Sequence, residues 1–287
     1  MSNKKNLPEW GKKTYIMGIL NVTPDSFSGD GLLEDSVDTA LSQARQFVTN
    51  GAHIIDVGGE STRPGSEPIS ADEEIKRILP VIRVLRAEMN VLISVDTYRA
   101  EVAEAALAAG ADWVNDVWGL RMDPALAGVV ANGGCPVVLM HNRSQPKNLS
   151  MTQALGGRFV GVEYDDLLAE CKAELQQCVD SALAAGISPQ NIIIDPGVGF
   201  GKTTEQNLEL VDRLDEFREL GYPILLGTSR KSFIGYTLDL PAAERIEGTA
   251  ASIAIGIDRG ADIVRVHDVK EMARVARMTD AMVRRKN

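Results

Sequence analysis

Residues 16–31, IMGILNVTPDSFSGDG, join an apolar run of strand length (15–20) to a polar stretch that opens at Asn21 and runs through Thr23, Pro24, Asp25, Ser26, Phe27, Ser28, Gly29 and Asp30. A buried strand that breaks abruptly into turn and small polar residues is how a parallel α/β protein delivers a loop to its functional face. The same move recurs, with apolar runs at 15–20, 52–57, 91–95, 113–117, 136–140, 191–194, 222–226 and 263–266. Between them Ala, Leu, Glu, Lys and Arg fall at helical spacing over 34–50, 71–89, 99–109, 124–132, 162–185, 207–220, 248–259 and 270–283. Asn50-Gly51, Gly110 and Gly186 supply end signals.

Eight strand-then-helix units predict an α/β fold of the (β/α)8 TIM barrel type, with the active site at the C-terminal ends of the strands. An open doubly wound sheet also uses many such units, but here polar residues follow nearly every strand rather than gathering at one crossover. No linker, repeat or low-complexity stretch divides the chain, so residues 1–287 read as one barrel domain with a short polar lead at about 1–13. The stretch 142–161 reads as a long loop.

The 287 residues, 44% of them hydrophobic, supply a large core, and a formal charge of −10 argues against a general nucleic-acid binder. Any anion must then be met by a few placed cations. Cys135, Cys171 and Cys178 show no C-x-x-C spacing and read as small core residues in a reducing compartment. The amino-terminal MSNKKNLPEW is followed by no apolar signal segment and no run approaches membrane-spanning length, so a soluble cytoplasmic protein is expected.

The strand ends carry the chemistry. In order they present Asn21; Asp56 followed by Gly58–Gly65, GGESTRPG; Asp96 with Thr97 and Arg99; Asn115 with Asp116; His141; Asp195; Thr228–Ser232, TSRKS; and Arg265 with His267. Carboxylates and an amide suit the N–H edge of a flat heterocycle, whereas Lys231, Arg63, Arg265 and His267 suit a phosphate or carboxylate. Each also has a plainer reading. Asp56 reads equally as a site residue or as a structural one, capping the next helix or pairing with a nearby arginine, Arg99 and Arg230 as helix-start or surface cations, and His53 as a packed core histidine. His141 stays undecided.

Residues 194–203, IDPGVGFGKT, end like a Walker A loop, but Pro196 stands where that motif needs glycine, and the glycine spacing is not that of a dinucleotide loop. A nucleophile elbow and a His-Glu-x-x-His pair are likewise missing from the sequence. The reaction therefore calls for something other than an activated protein nucleophile.

Taken together, MGILNVTPDSFS (17–28), IDVGGESTRPG (55–65), SVDTYR (94–99), Asn115-Asp116, residues 139–141, DPGVGFGKT (195–203), GTSRKSFIG (227–235) and RVHDV (265–269) resemble the signatures of the dihydropteroate synthase family. The resemblance covers nearly the whole chain and implies a (β/α)8 barrel. It implies a transferase of folate biosynthesis that joins 6-hydroxymethyl-7,8-dihydropterin pyrophosphate to p-aminobenzoate and releases pyrophosphate. By this resemblance Asp96, Asn115, Asp195 and Lys231 would bind the pterin, with Met140 and Phe200 as apolar walls. Arg63, Arg265 and His267 would hold the pyrophosphate, and Asn21 would contact Mg²⁺. Phe27, Thr62, Pro64 and Ser229 would frame p-aminobenzoate.

Displacement of pyrophosphate from an electron-rich pterin methylene can proceed with carbocation character, which requires negative groups near the pterin and positive ones at the leaving oxygens. The family's first loop commonly reads Ser-Phe-Ser-Asp-Gly-Gly; here it is SFSGDG, which shifts the acidic residue to Asp30. Lys231, Asp96, Asp30 and Arg63 are thus the expected catalytic set. A non-catalytic pterin-binding paralogue is the alternative, and a pterin-dependent methyltransferase is a weaker one because it has no evident need for the STRPG and TSRKS stretches. The resemblance also implies a homodimer, for which residues 248–259 and 270–283 carry apolar patterns, and competition by sulfonamides at the p-aminobenzoate position.

Overall fold

The computed structural model describes residues 8–23, 33–61 and 68–284. β1 (Tyr15–Asn21) leads to α1 (Leu33–Thr49), followed by β2 (Ile54–Gly58), α2 (Ala71–Glu88), β3 (Leu92–Asp96), α3 (Ala100–Ala109), β4 (Trp113–Asp116), α4 (Leu126–Gly133) and β5 (Val137–Met140). A hairpin of β6 (Leu149–Thr152) and β7 (Gly156–Phe159) precedes α5 (Leu167–Ala184), β8 (Ile192–Asp195), α6 (Thr204–Asp212) and β9 (Leu225–Leu226). The chain continues through α7 (Ser232–Leu238), α8 (Ile246–Asp258), β10 (Ile263–Val266) and α9 (Val269–Val283).

Eight strands form one parallel sheet in the order β8-β5-β4-β3-β2-β1-β10-β9. A parallel bridge between Ile194 and Ile224, with the Ile194 N–H donating to Pro223 O at 2.9 Å, joins its two ends and closes the expected barrel. Closure removes the sheet edges and turns alternate side chains inward. Met17, Ile54, Trp113, Val138, Ile193, Leu225 and Ile263, one from each of seven strands, form a separate apolar cluster that partly buried Leu92 of β3 completes. Their neighbours Ile16, Ile55, Val114, Ile194 and Val264 belong instead to the larger core shared with the helices. Trp10 packs on the interior cluster, its ring 6.4 Å from Trp113 and 5.7 Å from Tyr15. Part of the polar lead therefore covers the base of the barrel, where the Thr14 N–H and hydroxyl both donate to Asp280 at 2.8 Å.

Several local expectations are corrected. Residues 142–161 are not all loop: they hold a short 3-10 turn and the β6–β7 hairpin, paired from Leu149–Phe159 to Thr152–Gly156. The helix expected over 162–185 begins only at Leu167, because Asp166 caps it by accepting from the Ala169 N–H. The helix expected over 207–220 starts earlier, at a capping box of Thr203 and Gln206, and ends at Asp212 before a 3-10 segment. The strand expected over 222–226 narrows to Leu225–Leu226, and α7 adds a short helix that is not among the helical stretches expected from the sequence.

Candidate active site

The register of the barrel sets the site. Asn21 lies beside Gly58, Gly58 beside Asp96, and Asp96 beside Asn115, so four adjoining strands end on one level. Across the mouth, Met140 lies beside Asp195. Arg265 reaches over this floor from β10: Nε donates to Asp56 Oδ2 at 2.6 Å and Nη2 to Asp96 Oδ2. Asn115 Nδ2 donates to the same Asp56 oxygen at 3.0 Å. Asp56 is thus the partner of an arginine and not a helix cap. The buried Oδ1 atoms of Asp56 and Asp96 have no hydrogen-bond partner among the described residues, which leaves acceptors for a donor edge.

Lys231 stands at the N-cap of α7, its ammonium donating to Val198 O and lying 4.7 Å from the centre of the Phe200 ring. A side chain at Gly199 would collide with the Lys231 stem, its Cβ falling 2.8 Å from Cδ, so glycine there admits the lysine. The preceding Arg230 takes the left-handed conformation (φ 57°) and pairs with Asp268. Buried Arg245 holds this turn by donating to Arg230 O at 3.0 Å, Leu240 O at 2.9 Å and Leu155 O of the hairpin at 2.9 Å. Ser229 Oγ accepts from the His267 N–H at 3.1 Å and lies 3.0 Å from His267 Nδ1. A residue expected at p-aminobenzoate and one expected at pyrophosphate therefore touch.

Burial dominates the electrostatics. Asp96 is pushed up to about 7, because desolvation and the neighbouring carboxylates Asp56, Glu74 and Asp116 outweigh the Arg265 guanidinium. One guanidinium shared between two buried carboxylates does not fully compensate the burial of Asp96, which favours retention of a proton there. Burial likewise raises Asp195 and pushes Lys231 down to about 7, against the opposing pull of Asp195. The site thus holds an acid and a base poised near neutrality.

Asp96, Asn115, Asp195, Lys231, Arg265, Met140 and Phe200 are brought to the mouth, as are Ser229 and His267. Phe27, Asp30, Thr62, Arg63 and Pro64 lie outside the described residues. Arg99 is no free surface cation: it pairs with Glu60 and buried Glu74 and donates to Ile69 O at 2.8 Å. His53 sits half-buried at the opposite end of the barrel, accepting from the Ile16 N–H at 3.1 Å. His141 packs behind the site against Lys202 and Glu174. Glu174 and Arg245 carry no signal in the sequence, since a lone basic or acidic residue in a helix or loop has no periodicity, and Lys202 is visible there only as part of the rejected Walker-A-like ending.

Oxygen donors face each other above Gly58, where an added Cβ would lie 3.8 Å from Asn21 Oδ1 and 3.7 Å from Asp96 Oδ2. No group of three His, Cys, Asp or Glu side chains suited to a metal occurs among the described residues. Asp96 Oδ2 already accepts from Arg265, so Mg²⁺, which takes oxygen ligands, would find only Asn21 Oδ1 uncommitted of this pair and would draw the rest of its shell from water and substrate phosphates.

The fold is a closed α/β barrel whose mouth gathers buried carboxylates, an amide and cations. The model of the family described as pterin binding enzyme matches residues 17–267, and the chain belongs to that family. Within it the chain stands with the dihydropteroate synthases. It is 51% identical to the dihydropteroate synthase of Bacillus subtilis over 98% of this chain and 92% of that one. Its fold is similar to that of a dihydropteroate synthase from Clostridium difficile crystallised in the presence of pteroic acid, at TM-score 0.89 and 48% identity over 97% of this chain and 100% of the other. It is also similar to the Yersinia pestis dihydropteroate synthase in complex with a sulfonamide drug, at TM-score 0.87 and 39% identity over 98% of both chains.

Proposed function

We propose that this protein is a dihydropteroate synthase of folate biosynthesis, which transfers the dihydropterinylmethyl group of 6-hydroxymethyl-7,8-dihydropterin pyrophosphate to p-aminobenzoate. The carrying observation is the convergence of Asp96, Asn115, Asp195, Lys231 and Arg265 on one barrel mouth in a chain 51% identical to such an enzyme.

Asp96, Asn115 and Asp195 accept from and donate to the pterin edge, and Met140 and Phe200 form its apolar walls. The carboxylates favour positive charge as it develops on the pterin methylene while the bond to the leaving oxygen breaks. Lys231 holds the pterin rim, and Arg63, Arg265 and His267 receive the pyrophosphate. Arg265 must divide its guanidinium between that anion and the two carboxylates it bridges in this structure. Mg²⁺, held through Asn21, would supply neutralising charge to the departing oxygens. Phe27, Thr62, Pro64 and Ser229 orient the arylamine, whose nitrogen requires positioning more than a base, and lost protons pass to solvent. Asp30 serves as the loop acid.

The same reading makes the p-aminobenzoate position a sulfonamide target. It also makes the protein a cytoplasmic homodimer. Exposed Ile255 on α8 and Met278, Met282 and Val283 on α9 supply apolar surface for a second copy. No helix among the described residues is long and apolar enough to cross a membrane.

The test is pyrophosphate release from the dihydropterin pyrophosphate and Mg²⁺, with and without p-aminobenzoate, followed by mass analysis of the pterin product. Release that depends on p-aminobenzoate, with dihydropteroate formed, supports the synthase. Pterin binding with no release means a non-catalytic paralogue.

A further inference from the structure

The loop after β8 contains a lysine that the chemistry above does not use. Lys202 is fully buried, yet its ammonium has three acceptors: Gly197 O at 3.0 Å, Phe200 O at 3.1 Å and His141 Nδ1 at 2.8 Å. Three N–H donors on three acceptors is the full capacity of the group, and it compensates a burial that would otherwise be costly. Because Nδ1 accepts, the His141 proton sits on Nε2, which lies 3.1 Å from Glu174 Oε2. Glu174 is in turn gripped by Arg143. The chain of contacts therefore runs from α5, through a neutral histidine at the end of β5, into the 197–202 turn.

That turn is the one against which Lys231 rests, through Val198 O and the face of Phe200. It presses on the β5 end so closely that a side chain at Gly197 would collide with His141 O. The glycine carries a φ of 72°, a conformation other residues adopt only with strain.

We propose that Lys202 is a positioning residue of the pterin site: by tying both ends of the 197–200 turn to His141, it fixes the surface on which Lys231 and Phe200 are held. The motif that resembles a phosphate loop thus points its lysine into the protein, where it clamps the turn from behind. Burial lowers Lys202 to about 8 and His141 to about 4, in keeping with a charged lysine donating to a neutral imidazole at neutral pH. The inference rests on the pterin-site reading above and deepens it.

The decisive variant is Lys202→Met, which keeps the stem and removes the donors. Calorimetry with 6-hydroxymethyl-7,8-dihydropterin pyrophosphate and Mg²⁺ is expected to show affinity weakened about 10- to 100-fold. The KM for p-aminobenzoate should stay within about twofold, and amide exchange should rise only over residues 196–203. Equal affinity in wild type and a folded variant overturns the proposal, as does an equal loss for both substrates. Should Lys202→Met fail to fold, His141→Leu removes a single acceptor. It is expected to weaken pterin binding about 3- to 10-fold, and unchanged affinity there also overturns the inference. A wild-type protein that binds no pterin would instead refute the reading of the site on which this one depends.

Discussion

The two ends of the barrel are built from the same strands and do opposite things. Two residues apart, on the same inward face, β2 places Ile54 and Asp56, β4 Trp113 and Asn115, β8 Ile193 and Asp195, and β10 Ile263 and Arg265. The first of each pair joins the interior apolar cluster, and the second joins the polar mouth. Stability is gained at the base by excluding water. At the mouth it is partly given up, since buried carboxylates and cations keep charge where desolvation opposes it. Function resides where the core rule is broken.

The contrast is sharpest if each end is damaged separately. Trp113→Ala at the base should lower unfolding free energy by about 3–5 kcal/mol in denaturant titration while leaving kcat/KM near wild type in the fraction still folded. At the mouth, Lys231→Ala should lower kcat/KM by about 10²–10³-fold and abolish measurable pterin binding, with an unchanged melting curve. A lysine merely exposed at a helix start would show almost no effect, and that result would end the division drawn here.

The pH profile is a gentler probe. Asp96, raised to about 7, must lose its proton, and Lys231, lowered to about 7, must keep its own, so kcat/KM should form a narrow bell around pH 7. The acid limb follows protonation of the carboxylate and the alkaline limb loss of the ammonium. Lys231→Arg should remove the alkaline limb and spare the acid one, because a guanidinium stays charged. In the first loop, Asp30→Asn is expected to slow turnover with little loss of pterin affinity; a rate equal to wild type would deny it the loop-acid role. The smallest effect belongs to the base: Thr14→Val removes one hydroxyl bond to Asp280 and should cost about 1 kcal/mol in denaturant titration without altering kinetics.

Much of this was legible in the chain itself. Short continuous apolar runs ended by Asn21, Asp56, Asp96, Asn115, Asp195 and Arg265 announce buried parallel strands delivering polar groups to one face, because such runs and their ends are local properties. The family resemblance rests on the same local strings. Helix starts were less legible: Asp166 sets one by a single side-chain cap and Thr203 with Gln206 another by a capping box, and such residues are equally common in loops. The hairpin after β5 was missed because GGRF has weak strand character and gains its pairing only from the LSMT segment it meets.

The sequence by itself determined the number and order of the eight barrel strands, the residue types at their ends and the family, since these follow from short-range pattern. Only the tertiary structure decided who partners whom. It turned Arg265 onto Asp56 and Asp96, which lie 209 and 169 residues away in the chain, and set Lys202 beneath His141. Closure of the barrel brings strands distant in sequence to one level, and the buried charges there must find partners because water is no longer available to solvate them.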